Sequence, residues 1–432
     1  MKTIKSPPSL PFPSLPFPSL PFPSLLVASL VLPLAMLAVN APQAGAADPG
    51  MQPLTIPNGV VSIEDGVVSV HLTPPEVKQL DPGQVALDPA GHWTAEKILN
   101  ARPMEAPAVD LTSLSNDSAA PALRSPRPAG DLSNAVVGSS VMTVSSTEPV
   151  STVDPASTAI DLRSSDPSLA ASPERLAAAL GQIAANETAR TGRLIAQNDV
   201  GVGESCSATV LAGSNGSLIV TAAHCVFPPP NKAEPMTSFL FAPGYWDGVV
   251  PYGLWAASDY YVPIEWTNGC VVNPDACDAA ADQAVLSVKS WNDWIAEAFG
   301  IPYTRHKLTD MVGGQGYTVG ASPTQSDVRI WGYPADEGFD GELSYYCDGN
   351  TTPLTLPVAP YALMTNCVMP GGGSGGPWLI NRDGPDQGTM ITVSSGAITW
   401  AGWVVAVPFG DPFSKTLLRA QLAHLLDDFT WP

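Results

Sequence analysis

All six cysteines of this chain lie between Cys206 and Cys367, and ten of its eleven tryptophans lie beyond residue 188. An even set of cysteines confined to one part of an exported chain reads as a disulfide framework, which places the compact domain in the second half of the sequence. Six cysteines allow 15 pairings, so spacing alone does not choose among them. The runs Ser207–Leu211, Leu218–Ala222, Ala284–Val288 and Asp327–Tyr333 are rich in Val, Ile and aromatics, with Gly, Pro and Asn between them. Short strands at that spacing predict an all-β sandwich or barrel. The chain closes on Asp411–Phe429, where Leu417, Leu418, Leu422, Leu425 and Leu426 recur at helical spacing and predict a C-terminal α-helix.

The first half has another character. Lys2 and Lys5 precede a proline-rich repeat, an apolar run from Leu25 to Val39 and the small residues Ala44-Gly45-Ala46. Together these predict a signal peptide over 1–46. The apolar run, broken by Pro33, falls short of the ~20 residues that span a bilayer, so no stable membrane anchor is expected and the protein is expected to be secreted, extracellular or periplasmic. Residues 47–187 are Pro-, Ser-, Ala- and Asp-rich, hold one tryptophan, Trp93, and no cysteine. Stretches such as Ser113–Ala120 and Ser145–Ser157 have few large apolar groups to repay ordering. This part is read as a largely disordered pro-region or flexible linker. Within it, Ser172-Pro173-Glu174 followed by Leu176, Leu180 and Ile183 predicts one helix. The domain proper is expected over 188–432. A formal net charge of −21 argues against nucleic acid or anionic lipid as partner. No CxxC pair or histidine cluster suggests a metal site.

Three segments carry chemistry. In Pro370-Gly-Gly-Gly-Ser374-Gly-Gly-Pro377 the glycines permit a tight turn that presents a hydroxyl and aims backbone amides at a developing oxyanion. Ser374 is the candidate nucleophile, and the amides of Gly372 and Ser374 are the candidate oxyanion hole. Leu218-Ile-Val-Thr-Ala-Ala-His224-Cys225 ends an apolar strand in small residues and a histidine, the side chain suited to take the hydroxyl proton. Cys225 would fix that turn if it pairs with Cys206. A carboxylate must hold the other imidazole nitrogen. Asp282, at the entry of the strand-like Gln283–Val288, is the candidate, with Asp275 and Asp278 as rivals.

Thr-Ala-Ala-His-Cys, Asp-x-Ala-Val-Leu and Gly-x-Ser-Gly-Gly-Pro, in that order, resemble the chymotrypsin/trypsin family of serine peptidases over roughly 195–432. Gly332-Tyr-Pro334 and Pro243–Gly253 resemble segments of secreted bacterial trypsin-like and glutamyl-endopeptidase-like members. The resemblance implies two packed six-stranded antiparallel β-barrels, no cofactor, protein or peptide substrates and a monomer. It implies a Cys206–Cys225 bridge, and beyond it Cys347–Cys367 and Cys270–Cys277. It implies that Ser394, Ser395 and Gly396 line the cleft and that Val368 and Met369 fall near the base of the specificity pocket.

Two departures matter. Many members carry Asp immediately before the serine as acceptor for a new N-terminus; here Gly373 stands there, although Arg193-Leu-Ile195 looks like an activation cleavage site. No acid lies near the pocket base, and Val393 stands where glutamyl endopeptidases carry a pocket histidine. An uncharged residue is therefore expected on the acyl side of the cleaved bond. The rival reading is a catalytically silent homologue serving as a secreted binding module.

Overall fold

A computed structural model of the chain describes residues 56, 59–72, 93–104, 142–150, 154–165, 169–186, 189–198, 201, 203–213, 215–228, 235–271, 279–298, 305–355, 360–382, 388–398 and 402–427. Strands β1 (Gly59–Glu64) and β2 (Val67–Leu72) form a hairpin whose turn residues Asp65 and Gly66 both have positive φ, the conformation that twists with the flanking strands. Helix α1 (Ala95–Leu99) starts at Thr94, whose hydroxyl accepts the Lys97 amide. Strands β3 (Arg102–Pro103), β4 (Met142–Val144) and β5 (Ile160–Asp161) are short. Helix α2 (Pro173–Asn186) follows, capped by the Ser172 hydroxyl, with Leu176, Ala179 and Ile183 buried. The serine-proline start and apolar spacing predicted this helix.

The first barrel comprises β6 (Thr191–Asn198), β7 (Gly203–Val210), β8 (Leu218–Thr221), β9 (Met236–Pro243), β11 (Trp255–Pro263) and β12 (Ala284–Ser290). Pairing runs β11-β12-β8-β7-β6-β9 and returns from β9 to β11 at Phe241↔Trp255, so the ring is closed and antiparallel. Strand β10 (Val249–Val250) pairs with β5 outside it, and helices α3 (Trp291–Ala298) and α4 (Leu308–Val312) lie on the way to the second barrel.

The second sheet contains β13 (Gly316–Val319), β14 (Gln325–Gly332), β15 (Tyr345–Thr355), β16 (Pro360–Thr365), β17 (Pro377–Ile380), β18 (Thr389–Val393), β19 (Gly396–Ile398) and β20 (Trp403–Ala406). Its path is β19-β20-β16-β15-β14-β17-β18. Strands β18 and β19 are one run of chain joined by Ser394 and Ser395, so the two ends of the path meet and six antiparallel strands close a second barrel. Strand β13 adds to β18 in parallel, and β4 adds to β13.

Each barrel is filled from within. Leu194, Val210, Ile219, Phe239, Tyr260 and Leu286 pack in the first, and Val328, Ile330, Met364, Trp378 and Ile391 in the second. A third cluster with Val220, Val285, Trp331 and Leu379 joins them beneath helix α5 (Asp411–Asp427). Each such side chain removed from water contributes about 1.5–3 kcal/mol.

Two expectations change. The buried face of α5 is Phe413, Thr416, Leu417 and Ala420, whereas Leu418 and Leu422 are exposed and the side chains of Leu425 and Leu426 lie outside the described residues. Phe413 stacks on Phe409 with centroids 3.8 Å apart. The described parts of 47–187 are built into the domain. The β1–β2 hairpin extends the first sheet by pairing β2 with β11, β4 extends the second, and Trp93 and Ile98 are buried. The run Val68–Leu72 alternates apolar and polar residues locally, a signal that the polar average of the whole segment conceals. Ser113–Ala120 lies outside the described residues. No described helix is long and apolar enough to cross a membrane.

Candidate functional site

His224 sits where β8 ends. Ala223–Cys225 form a single 3₁₀ turn, and a Cys206–Cys225 disulfide ties that turn to β7. Ala222 and Ala223 are fully buried, so the small residues before the histidine let the turn fold against the barrel. Asp282 follows the turn Ala279–Ala281 and precedes β12. Its neighbour Gln283 donates to the Val407 carbonyl at 2.9 Å, which anchors this stretch to the second barrel. The imidazole Nδ1 lies 2.9 Å from one Asp282 carboxylate oxygen and 3.1 Å from the other, with both side chains fully buried. The His224 backbone amide donates to the same carboxylate at 2.9 Å, and the Ser395 hydroxyl at 2.5 Å. A carboxylate on Nδ1 selects the tautomer with the proton there and leaves Nε2 as the basic nitrogen. Nε2 is buried and has no hydrogen-bond partner among the described residues. Asp275 and Asp278 lie outside the described residues.

Ser374 occupies the turn between β16 and β17. Gly372 and Gly375 have φ of 91° and 81°, where a side chain would be strained. Gly375 is also confined: a Cβ there would come within 2.1 Å of the Thr221 hydroxyl and 2.2 Å of the Ser207 carbonyl. That close approach seats the turn on the end of β8, three residues before His224. The Ser374 carbonyl accepts the Ser207 amide at 2.7 Å, and Gly375 donates to the Ser394 carbonyl at 2.8 Å. The Ser207 hydroxyl donates to the Gly372 carbonyl at 2.9 Å and accepts the Tyr333 amide at 2.8 Å. Among the described residues the amides of Gly372 and Ser374 donate no hydrogen bond within the protein. The turn is thus pinned through carbonyls and the Gly375 amide, while the amides of Gly372 and Ser374 stay available.

The expected cleft residues separate. Ser395 reaches Asp282, and the Ser394 hydroxyl accepts the Trp378 indole N–H at 3.0 Å. Both hydroxyls are thus turned inward and bonded within the protein. Met369 is buried beneath the Ser374 turn, where a Cβ on Gly373 would sit 2.4 Å from its Cγ. Val368 is 45% exposed. A Cys347–Cys367 disulfide joins β15 to the segment leading into the turn. The side chains of Cys270 and Cys277 lie outside the described residues.

The reading of Arg193-Leu-Ile195 as an activation cleavage site is overturned. This stretch is the middle of β6, paired with β7 on one edge and β9 on the other. The Arg193 side chain is fully buried and bonds Glu342 at 3.1 Å, the Tyr245 hydroxyl at 3.3 Å and the Ala101 carbonyl at 3.4 Å. Burial, reinforced by the Glu342 carboxylate, pushes the Tyr245 phenol up, so it stays a neutral donor to Glu342. Arg163 and Arg175 extend the network to Asp247 and Asp161 and fasten α2 and β5 to the barrel. A cavity of about 410 Å³ lies beside this network, lined by Ile183, Tyr245, Trp246, Asp247 and Glu342; none of the three candidate catalytic residues lines it.

Ser207, Thr221 and the hydroxyl of Ser395 were not singled out by their roles in the sequence. Small hydroxyl residues at fully buried positions of Val- and Ala-rich strands were the available signal.

Fold and site together define a two-barrel β protein whose facing edges bring a buried His–Asp pair and a glycine-framed serine into one place. No family model matches the chain, and no curated protein matches it. Solved structures similar to it include the protease Anisep from Arthrobacter nicotinovorans, 26% identical over 54% of this chain and 95% of that one, with a TM-score of 0.44. A thermostable serine protease, AL20, from an extremophilic microorganism is 22% identical over 55% of this chain and 99% of that one, also at 0.44. A Glu endopeptidase is 18% identical over 54% and 91%, at 0.41.

Proposed function

We propose that the chain is a secreted serine endopeptidase, exported by the leader over 1–46, that hydrolyses peptide bonds through an acyl-enzyme. The observation that carries this reading is the buried His224–Asp282 pair, with Nδ1 committed to the carboxylate and Nε2 unpaired at the edge where the Ser374 turn is seated. Nε2 takes the Ser374 hydroxyl proton as the oxygen attacks the carbonyl carbon, and the imidazolium gives that proton to the leaving amine. Asp282 stabilises the imidazolium and fixes its orientation. The amides of Gly372 and Ser374 receive the oxyanion, donors already aimed before charge develops. Water then attacks the acyl group with His224 again as base. The acyl side of the substrate pairs with the backbone of Ser394–Gly396. An uncharged side chain is preferred there, since an unpartnered Lys or Arg head in the pocket would cost several kcal/mol. Titration with a serine-directed phosphonate tests the reading: an active enzyme takes up one equivalent per chain, and a silent homologue none.

A further inference from the structure

One edge of β7 runs through the site. Towards the C-terminal end of the strand this edge pairs with β8, at Thr209 and Val210. At Ser207 its amide holds the carbonyl of the nucleophile. Beyond that, Glu204 and Ser205 pair in parallel with Arg102 and Pro103 of β3, and the Ser205 carbonyl accepts the Met104 amide at 3.0 Å. The opposite edge belongs to β6. Next along from the nucleophile, the edge is therefore held by a strand from the chain's own N-terminal region.

The same strand touches the loop with the two available amides. A Cβ on Gly371 would lie 3.1 Å from the Pro103 Cβ and 3.4 Å from the Met104 carbonyl oxygen. Both flanks are anchored. Met104 is buried in the core of the first barrel, the Ala101 carbonyl accepts from Arg193, and Trp93 donates to the Ser238 hydroxyl at 2.8 Å.

If the acyl side of a substrate lies along Ser394–Gly396, the leaving side runs the other way, past Gly371 and Gly372 and along this edge of β7. An extended peptide would satisfy its backbone there by adding a strand, and β3 already fills that place. The occupant is short, and Pro103 has no amide to donate, so its hold rests on the Ser205 hydroxyl, which donates to the Arg102 carbonyl at 3.3 Å, on Met104 and on the flanking anchors.

We infer that Arg102–Met104 is an intramolecular occupant of the leaving-group side of the cleft, so that the full chain gains nothing from leaving-side residues beyond the first. The inference rests on the peptidase reading above. The test is a series of quenched peptides with one acyl side, one first leaving-side residue, and one, two or four leaving-side residues, beside the matched p-nitroanilide. For the full chain, kcat/KM stays level or falls as the leaving side lengthens. In Met104→Ala and in Pro103→Gly the four-residue substrate gains at least fivefold, and the anilide stays within twofold. A full chain whose kcat/KM rises fivefold or more with length overturns the inference, as does a folded variant with an unchanged length profile. The full-chain series decides alone if neither variant folds. An inert anilide in the full chain would sink the peptidase reading and this inference together, whereas a hydrolysed anilide with a rising series sinks this inference only.

Discussion

Replacing Ser395 by Ala removes one of three donors to the Asp282 carboxylate, the one at 2.5 Å, and leaves the two from His224 at 2.9 Å. Ser395 is buried, so water does not readily take the place of its hydroxyl. A hydrogen bond to a charged group contributes about 1.5–3 kcal/mol. In the proposed mechanism Asp282 orients the imidazole and stabilises its charged form, so the loss falls on the transition state. At about 1.4 kcal/mol per tenfold, kcat should drop by roughly 10- to 100-fold with KM nearly unchanged. The assay is steady-state hydrolysis of a p-nitroanilide, with Asp282→Asn beside it. That substitution should cost up to about 10⁴ by favouring the wrong tautomer. A folded Ser395→Ala enzyme within twofold of wild-type kcat would refute the claim that this hydroxyl supports the base.

Two further outcomes concern the N-terminal region. Glu342→Gln leaves the fully buried Arg193 without its carboxylate and loosens Arg163, so stability measured by chemical denaturation should fall by about 3–5 kcal/mol; an unchanged midpoint would show the network to be dispensable. Burial alone would push the Asp259 carboxyl up, but hydrogen bonds from His71 and Ser258 outweigh it and hold the group below the ordinary carboxylate range. Its contribution is therefore complete above the unfolded carboxylate value of about 3.9 and is lost as pH falls through the lower folded value. His71 lies on β2 and Asp259 on β11, so thermal melts of Asp259→Asn should differ from wild type near pH 6 and converge with it in strong acid. A gap that persists in strong acid would contradict this.

What the sequence discloses follows from how local the physics is. The His224 turn and the Ser374 loop are legible because each needs a run of small residues, and the strands at 207–211, 218–222, 284–288 and 327–333 because alternation and β-branching are local. Ser395 on Asp282 and Ser207 beneath Gly372 are not legible, since each joins residues more than 100 positions apart. Arg193 misleads for the same reason: a basic residue before Leu-Ile resembles a cleavage site until Glu342 and Tyr245 are found around it. The β1–β2 hairpin carried a signal of its own, Asp65-Gly66 between alternating runs, outweighed in reading by the prolines and serines on either side.

The central claim is that Ser374 is a nucleophile activated by His224. The most direct test labels the protein with a serine-directed phosphonate and maps the adduct by peptide mass spectrometry, in wild type and in His224→Ala. The account predicts one adduct per chain, on the peptide containing Ser374, with labelling slowed by orders of magnitude in the variant because the triad acts as a unit. An adduct on another residue, or labelling at the same rate without His224, would contradict it.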